Sequence, residues 1–174
     1  RLVACAALAS AACRPATKEA RTLLQGTVST VAPIVGAKVS ATLLSNRRPE
    51  VVASTITDDN GHYELDLVDG EGTVLIEVTG QASTFTTEPI LGKPVQLSTN
   101  DKFTLLLPNV VYGEESEASN VNVWTTLIAA RALWDVRENG RSHVEAHAAA
   151  KQLFDNHFGG VVFTDSVPVA PEAG

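Results

Sequence analysis

Cysteine is scarce in this chain of 174 residues, and it is confined to one end. Both cysteines, Cys5 and Cys13, lie near the N terminus, and none follows them. No disulfide can therefore form within the chain after Cys13, which has to be held together by its hydrophobic core. Methionine is also absent, whereas valine and threonine are abundant. Because β-branched side chains suit a pleated surface, this composition favours strands.

Basic residues are few as well. Lysine and arginine number 13 against 20 aspartate and glutamate residues, which gives a net charge of -7. The longest basic run is the pair Arg47-Arg48. A phosphate backbone would be repelled by such a chain, so nucleic acid is excluded as an expected partner.

No apolar run is long enough to cross a membrane. A positive charge at Arg1 precedes an apolar stretch over residues 2–12, a pattern typical of an export signal. A spanning helix needs about 20 residues, which this stretch does not reach. One interpretation is a plain secretory signal, cleaved at a site such as Ala9-Ser10-Ala11. A Cys5–Cys13 disulfide is a weaker alternative, because both lie in the segment expected to be removed.

Small residues that end at a cysteine resemble the lipobox of bacterial lipoproteins. Leu2-Val3-Ala4-Cys5 matches the letters of that box more closely, whereas Cys13 lies where the apolar run gives way to polar sequence. We favour Cys13 as the lipid-attachment residue and keep Cys5 as the alternative. The resemblance implies a signal segment over 1–13, a linker over 14–22 and firm membrane tethering. It also implies an exported protein of the bacterial cell envelope, an outer-membrane lipoprotein facing the periplasm or the cell surface.

Residues 23–111 contain several short runs in which apolar and polar side chains alternate. The apolar positions are Leu24 and Val28; Val39, Ala41 and Leu43; Tyr63, Leu65 and Leu67; Val74, Ile76 and Val78; and Phe103, Leu105 and Leu107. A period of two indicates strands with one buried and one wet face, as in antiparallel sheets. Turn residues separate the runs, and Asn60-Gly61 predicts a hairpin. We predict a mainly β fold, an antiparallel sandwich of two packed sheets.

The pattern changes after an acidic segment at 112–119, which we interpret as a solvated hinge. Its glutamates Glu114, Glu115 and Glu117 form an alternative site for a cation or a basic partner. Apolar residues then recur at intervals of three and four residues, which predicts a helix capped by Ser119 or Asn120. The predicted face of that helix consists of Trp124, Leu127, Ile128, Arg131 and Trp134.

A second helix follows closely. Asn139-Gly140 ends the first helix, and Ser142 with Glu145 forms a capping box for the next, which runs to about Phe158. The sequence therefore predicts a C-terminal α-helical hairpin over 120–160. Residues 161–174 at the end of the sequence are expected to be a tail, in which Val161–Phe163 is a candidate short strand.

Four short motifs carry a resemblance to a known family. They are Gly26-x-Val28, Gly36-Ala37-x-Val39, Thr57-Asp58-x-Asn60-Gly61-x-Tyr63 and Val78-x-Gly80. Together they resemble the carboxypeptidase regulatory-like domain, a transthyretin-type β-sandwich that is itself non-enzymatic. The resemblance implies positive φ at Gly36 and Gly61, and a buried Tyr63 whose hydroxyl has a partner.

Two segments carry residue types that bind metals. His143 and His147 lie one helical turn apart and would supply half of a zinc site. We favour the alternative that both rings pack at the helix seam, beside Ala150 and Phe154. Residues 58–61 resemble a fragment of a calcium loop, and we interpret them as a turn.

No nucleophile–base motif and no phosphate loop occur in the sequence. We therefore predict a non-catalytic binding or scaffolding module without a cofactor. Its expected partner is an envelope protein engaged through a sheet edge. One alternative is a carbohydrate-binding module, whose stacking residues would come from Tyr63, Tyr112, Trp124 and Trp134. Another is a metal-dependent enzyme that uses His143 and His147.

Overall fold

The computed structural model describes residues 21–44, 48–68, 72–88, 90–111, 113 and 119–158. The strands are β1 (Arg21–Thr27), β2 (Lys38–Leu44), β3 (Glu50–Ile56), β4 (His62–Val68), β5 (Gly72–Thr79), β6 (Phe85–Thr87), β7 (Pro94–Gln96) and β8 (Lys102–Val110), and the helices are α1 (Val123–Asn139) and α2 (His143–Phe158). The predicted mainly β fold with a C-terminal helical hairpin is confirmed. Strand β1 begins at Arg21, inside the expected linker, and β6 and β7 were not predicted.

Several predictions concern residues outside this described part. They are the signal segment, Cys5 and Cys13 as attachment residues, Tyr112, the acidic residues Glu114, Glu115 and Glu117, and the tail with Val161–Phe163. Among the residues that are described, neither helix combines the length and the hydropathy that a membrane span requires.

Two antiparallel sheets face each other across the main core. Strands β1 and β4 form a two-stranded ribbon, and the larger sheet has the order β3-β2-β5-β8. The ribbon contributes Leu24, Tyr63, Leu65 and Leu67, and the larger sheet contributes Val39, Ala41, Val74, Ile76 and Val78. These are the positions that the alternating pattern assigned to the buried face, so the sandwich follows directly from the period of two.

The larger sheet is covered on its other face as well. In β8, Leu105 and Leu107 pack against the sandwich core, whereas Leu106 between them is buried against α1 and α2. Small residues of the helices, among them Ala129 and Ala146, complete this second core. The continuous Leu105-Leu106-Leu107 run reflects a strand that is buried on both sides.

The predicted hairpin at Asn60-Gly61 is wrong. Residues 58–61 do reverse the chain, since the Gly61 N–H donates to the Asp58 carbonyl at 3.0 Å and Gly61 has a φ of 74°. However, β3 pairs with β2, and β4 pairs with β1. The turn therefore carries the chain from one sheet to the other. Its local chemistry fixes the reversal but not the strand pairing.

The start of α1 also differs from the prediction. Asn122, rather than Ser119 or Asn120, is the N-cap, and its side chain accepts from the Thr125 N–H at 2.9 Å. At the other end the prediction is confirmed, because Gly140 caps the helix with a φ of 66°. The capping box at α2 is confirmed too, because the Glu145 N–H donates to the Ser142 hydroxyl at 3.3 Å and the Ser142 N–H donates to the Glu145 carboxylate at 3.2 Å.

The predicted buried face of α1 is partly wrong. Ile128 is buried, but Leu127 is 43% exposed and Trp134 is 42% exposed. Arg131 lies over the Trp134 ring, 4.5 Å from its centroid, on the same open side. The other buried residues of the helix are Thr125, Ala129, Ala132 and Asp135. Close packing on α2 and β8 selects small side chains here, so size matters more than hydropathy.

Candidate functional site: the groove between strands β3 and β4

Two of the four outer edges of the sandwich are covered. On β8, the Thr104 N–H donates to the hydroxyl oxygen of Thr126 in α1 at 2.9 Å. Pro108, further along β8, has no N–H to offer a partner. Helix α1 and this proline together protect the β8 edge from further pairing.

The outer edge of β1 is covered by residues 119–121, which precede α1. The Ser119 N–H donates to the Gln25 carbonyl and the Val121 N–H donates to the Thr27 carbonyl, both at 2.8 Å. Buried Tyr63 donates its hydroxyl to the Ser119 carbonyl. Burial raises the pKa of that phenol above its ordinary value, so it remains a donor. Residues 119–121, which precede the helices, are thus held to β1 by hydrogen bonds.

The edge of β3 is open in the part of the chain that the structure describes. The Thr57 N–H donates to the Ala37 carbonyl at 2.9 Å, so position 57 turns towards β2. In an antiparallel ladder this orientation alternates, and Ser54 and Ile56 therefore direct their backbone groups away from the sheet. Ile56 is 59% exposed. Nothing among the described residues pairs with this edge.

The edge of β4 next to β3 is closed at one end only. The Asp58 N–H donates to the His62 carbonyl at 2.9 Å, and the His62 N–H donates to Asp58 Oδ1 at 2.8 Å. Glu64 and Asp66 follow at alternate positions, so they turn their backbone groups the same way. No second strand of the described chain pairs with them. Two open edges therefore lie side by side.

A groove of about 630 Å³ lies at this open side. It is lined by Gln25, Gly26, Thr27, Thr55, Ile56, Asp58, His62, Tyr63, Glu64 and Asn120. The groove is formed by the turn at 58–61, both strands of the ribbon, the end of β3 and residues 119–121 before α1. Residues that are distant in sequence are thus brought together by the pairing of 119–121 with β1.

The charge of the groove is negative. Among the described residues, its acidic side chains are Asp58 and Glu64, His62 lies beside them, and no lysine or arginine lines it. Backbone N–H groups of His62 and Asn60 hold the pKa of Asp58 below its ordinary value, which keeps this carboxylate ionised. Its second oxygen lies 3.6 Å from Nδ1 of His62. Glu64 has no salt bridge with any described residue.

Asn120 brings a buried amide to the same groove. Asn120 as a whole is 8% exposed. Its Oδ1 accepts hydrogen bonds from the Thr27 N–H at 3.0 Å and from the Thr27 hydroxyl at 2.9 Å. These bonds fix the orientation of the amide, since only oxygen can accept the backbone N–H. Within the described chain, Nδ2 has no acceptor. A buried donor of this kind normally has a partner.

The structure does not place His143 and His147 in this groove. Both lie on α2, at the opposite side of the larger sheet from the sandwich core. Across the described residues, no three histidine, cysteine, aspartate or glutamate side chains are grouped closely enough to hold a metal ion. Burial, and then the charge of Lys151, lower the pKa of His147 below its ordinary value of 6.5. His147 is half-buried on the helix that carries the buried residues Ala146 and Ala150.

We expect His147 to make the free energy of unfolding fall as the pH falls below 6.5, the ordinary pKa of histidine. Because its pKa is lowered by folding, the unfolded chain binds the proton more readily. Its contribution is therefore complete above the ordinary value of 6.5 and is lost as pH falls through the folded-state pKa. The free energy of unfolding of His147→Gln, followed by urea titration, should vary less over this range than that of the wild type. The matched variant His143→Gln should keep the wild-type slope; equal flattening in both would contradict the assignment.

The aromatic residues considered for sugar stacking lie apart from one another. Tyr63 is buried in the sandwich, and the Trp124 ring meets the Phe158 ring edge-on with centroids 5.0 Å apart. Trp134 is exposed on α1 beneath Arg131. Tyr112 lies outside the described residues. The described aromatic side chains therefore form no shared platform at the groove.

Folding brings the hydroxyl group of Thr55 and the ring of His62 to the same groove. Thr57 is occupied structurally, since its hydroxyl donates to the Ile34 carbonyl and accepts from the Ala37 N–H. In the described chain, no serine or threonine hydroxyl forms a hydrogen bond with a histidine ring nitrogen. The groove holds acceptors and donors for a ligand without a paired nucleophile and base.

Comparisons with known proteins add little to this site. No protein family matches the sequence, and no curated protein matches it. Among solved structures, the chain is similar to a 9R-lipoxygenase from Cyanothece PCC8801, with 12% identity and a TM-score of 0.31. The match covers 68% of this chain and 18% of the lipoxygenase. A likeness of this size carries no argument about fold or activity.

Proposed function

We propose that this chain is a non-catalytic binding or scaffolding module of a bacterial cell-envelope lipoprotein. The module engages an extended segment of another envelope protein at the β3/β4 edge. The observation that supports it is that two edges of the sandwich are covered whereas two are open. Helix α1 covers β8 and residues 119–121 cover β1, whereas no described residue pairs with the backbone groups that β3 and β4 present beside a groove. Such an edge accepts an added strand through main-chain hydrogen bonds.

The placement in the envelope rests on the sequence. The resemblance of the leader to a lipobox supports acylation at Cys13, with Cys5 as the alternative, and both lie outside the described residues. The four motifs between Gly26 and Gly80 support a carboxypeptidase regulatory-like domain. Two residue-level expectations of that resemblance hold, namely positive φ at Gly36 and Gly61 and burial of Tyr63. In this proposal a lipid-tethered sandwich presents its open edge to a partner at the membrane.

Site-specific photo-crosslinking of the full chain in its native host tests the proposed edge. Benzoylphenylalanine at Ser54, an exposed position of β3, should give an adduct with a second protein in the membrane fraction. The same probe at Gln152, exposed on α2, is the matched control and should give none. Ile56→Pro removes an outward N–H without removing a ladder bond, so it should abolish the Ser54 adduct.

Two results would contradict the proposal. One is an adduct from Gln152 with none from Ser54, which would place the contact on the helices. The other is a Ser54 adduct that persists in Ile56→Pro while the thermal midpoint of that variant equals that of the wild type. Strand addition requires the outward backbone groups of β3, so it does not survive their removal.

A further inference from the structure

Building on the proposed function, we infer that the partner segment carries a lysine or arginine whose side chain enters the groove, held by the carboxylates of Asp58 and Glu64. The amide of Asn120 donates to a main-chain carbonyl of the same segment.

The charges of the groove select a cation. Asp58 and Glu64 both line it together with His62, and none of its described lining residues is a lysine or arginine. The arginine of the ribbon, Arg21, already pairs with Asp66 at 2.9 Å. Glu64 therefore has no cation within the described chain, and an incoming ammonium or guanidinium group supplies one.

Asn120 gives an independent reason to expect a ligand at this place. Its Oδ1 is committed to Thr27, and the amide lies nine-tenths buried at the wall of the groove. Leaving a buried donor without an acceptor is unfavourable, so Nδ2 favours any ligand that brings an acceptor. A carbonyl oxygen is such an acceptor, and a bare metal cation is not.

An extended peptide meets both requirements at once. Its backbone carbonyls lie at regular intervals, and alternate side chains point to the same face of the strand. When one basic side chain faces Asp58 and Glu64, neighbouring backbone groups face the open edges of β3 and β4. Charge complementarity of this kind contributes chiefly to specificity and to the association rate.

The test uses the full chain and synthetic nonapeptides of alternating threonine and valine that differ only at the central residue. The central residue is lysine, norleucine or glutamate, and binding is measured by fluorescence anisotropy at low ionic strength. The lysine peptide should bind at least roughly tenfold more tightly than the norleucine peptide, and the glutamate peptide should not bind. Raising the salt concentration should remove most of this preference.

Glu64→Gln should reduce the affinity for the lysine peptide about tenfold and leave the norleucine peptide unchanged. Glu138→Gln on α1 makes the same change in net charge away from the groove, and it should bind like the wild type. Glu64 is exposed on the ribbon, so this variant is expected to fold. Equal losses in both variants would overturn the inference, because they would indicate long-range attraction only.

The remaining outcomes separate the two proposals. If the three peptides bind equally, or if a neutral chitohexaose shifts the amide resonances of the groove and the peptides do not, the cationic partner is wrong. The edge proposal is then judged by the Ser54 adduct alone. A lysine preference that Glu64→Gln abolishes, without any Ser54 adduct in cells, would support the chemistry of the groove and contradict its use by an envelope protein.

Discussion

Replacing Gly26 with alanine is expected to lower the free energy of unfolding by about 3 kcal/mol. A Cβ atom at this position would lie 2.6 Å from the carbonyl carbon of Ser119 and would overlap the carbonyl oxygen. Neither atom can move alone, because Ser119 is held by the Gln25 carbonyl and by the Tyr63 hydroxyl. The variant has to push residues 119–121 away from β1, and it loses several buried hydrogen bonds together.

Gly92→Ala is the matched control for this result. Gly92 has a φ of 63°, and a Cβ there would meet nothing within 4 Å, so alanine is disfavoured only by its backbone conformation. The expected loss is about 1 kcal/mol. Urea denaturation followed by circular dichroism measures both variants. A Gly26→Ala protein as stable as Gly92→Ala would show that the contact between β1 and residues 119–121 is not required.

Arg141→Ala is expected to destabilise the fold by roughly 2 kcal/mol, far more than a surface substitution. The Asp135 side chain is only 4% exposed, and Arg141 reaches it at 2.8 Å across the turn between the helices. Removing the arginine leaves a buried carboxylate with Asn139 as its remaining side-chain partner. The loss is smaller than for a fully buried pair because half of the Arg141 side chain is in solvent.

Arg137→Ala supplies the comparison, since it removes the same residue type from the same helical hairpin. Arg137 pairs with Glu138 at 2.7 Å, but 75% of its side chain is exposed. Pairs of this kind contribute about 0–1 kcal/mol. Thermal unfolding of the two variants should therefore separate clearly. Similar midpoints would mean that Asp135 is stabilised by its other contacts and that Arg141 is dispensable.

The sandwich was predictable because its buried positions carry a local signal. Tyr63, Leu65 and Leu67 alternate with charged residues, so the burial of β4 can be deduced from β4 alone. Turn chemistry was less informative. The Asn60-Gly61 pair specifies a reversal, yet strand pairing depends on β1 and β2, which lie elsewhere in the sequence.

The face of α1 was harder to predict for a different reason. Bulky side chains such as Leu127 and Trp134 dominate any hydropathy pattern, whereas the buried face holds Ala129, Ala132 and Asp135. Alanine is selected there by the short distance to α2, and aspartate by its pairing with Arg141. Neither cause is visible in the periodicity of a single helix.

The groove could not be predicted from the sequence. Its Asn120 is fixed by Thr27, 93 residues away, and the turn residue Asp58 meets them only in the folded chain. The one available signal was the run of polar residues around Asn120 between an acidic segment and a helix. Sequence reasoning assigned these residues to helix capping, a role that Asn122 performs instead.

The pairing of β1 with residues 119–121 also has a consequence for biosynthesis. The first strand of the sandwich emerges from the ribosome early, but the segment that completes its outer edge is made almost a hundred residues later. Until then, the nascent chain exposes the outer edge of β1, which the finished protein covers. Contacts of such long range slow folding, so this edge is exposed to intermolecular pairing while translation proceeds. A fragment cut after β8 would carry the same defect permanently, and it would aggregate where the whole chain does not.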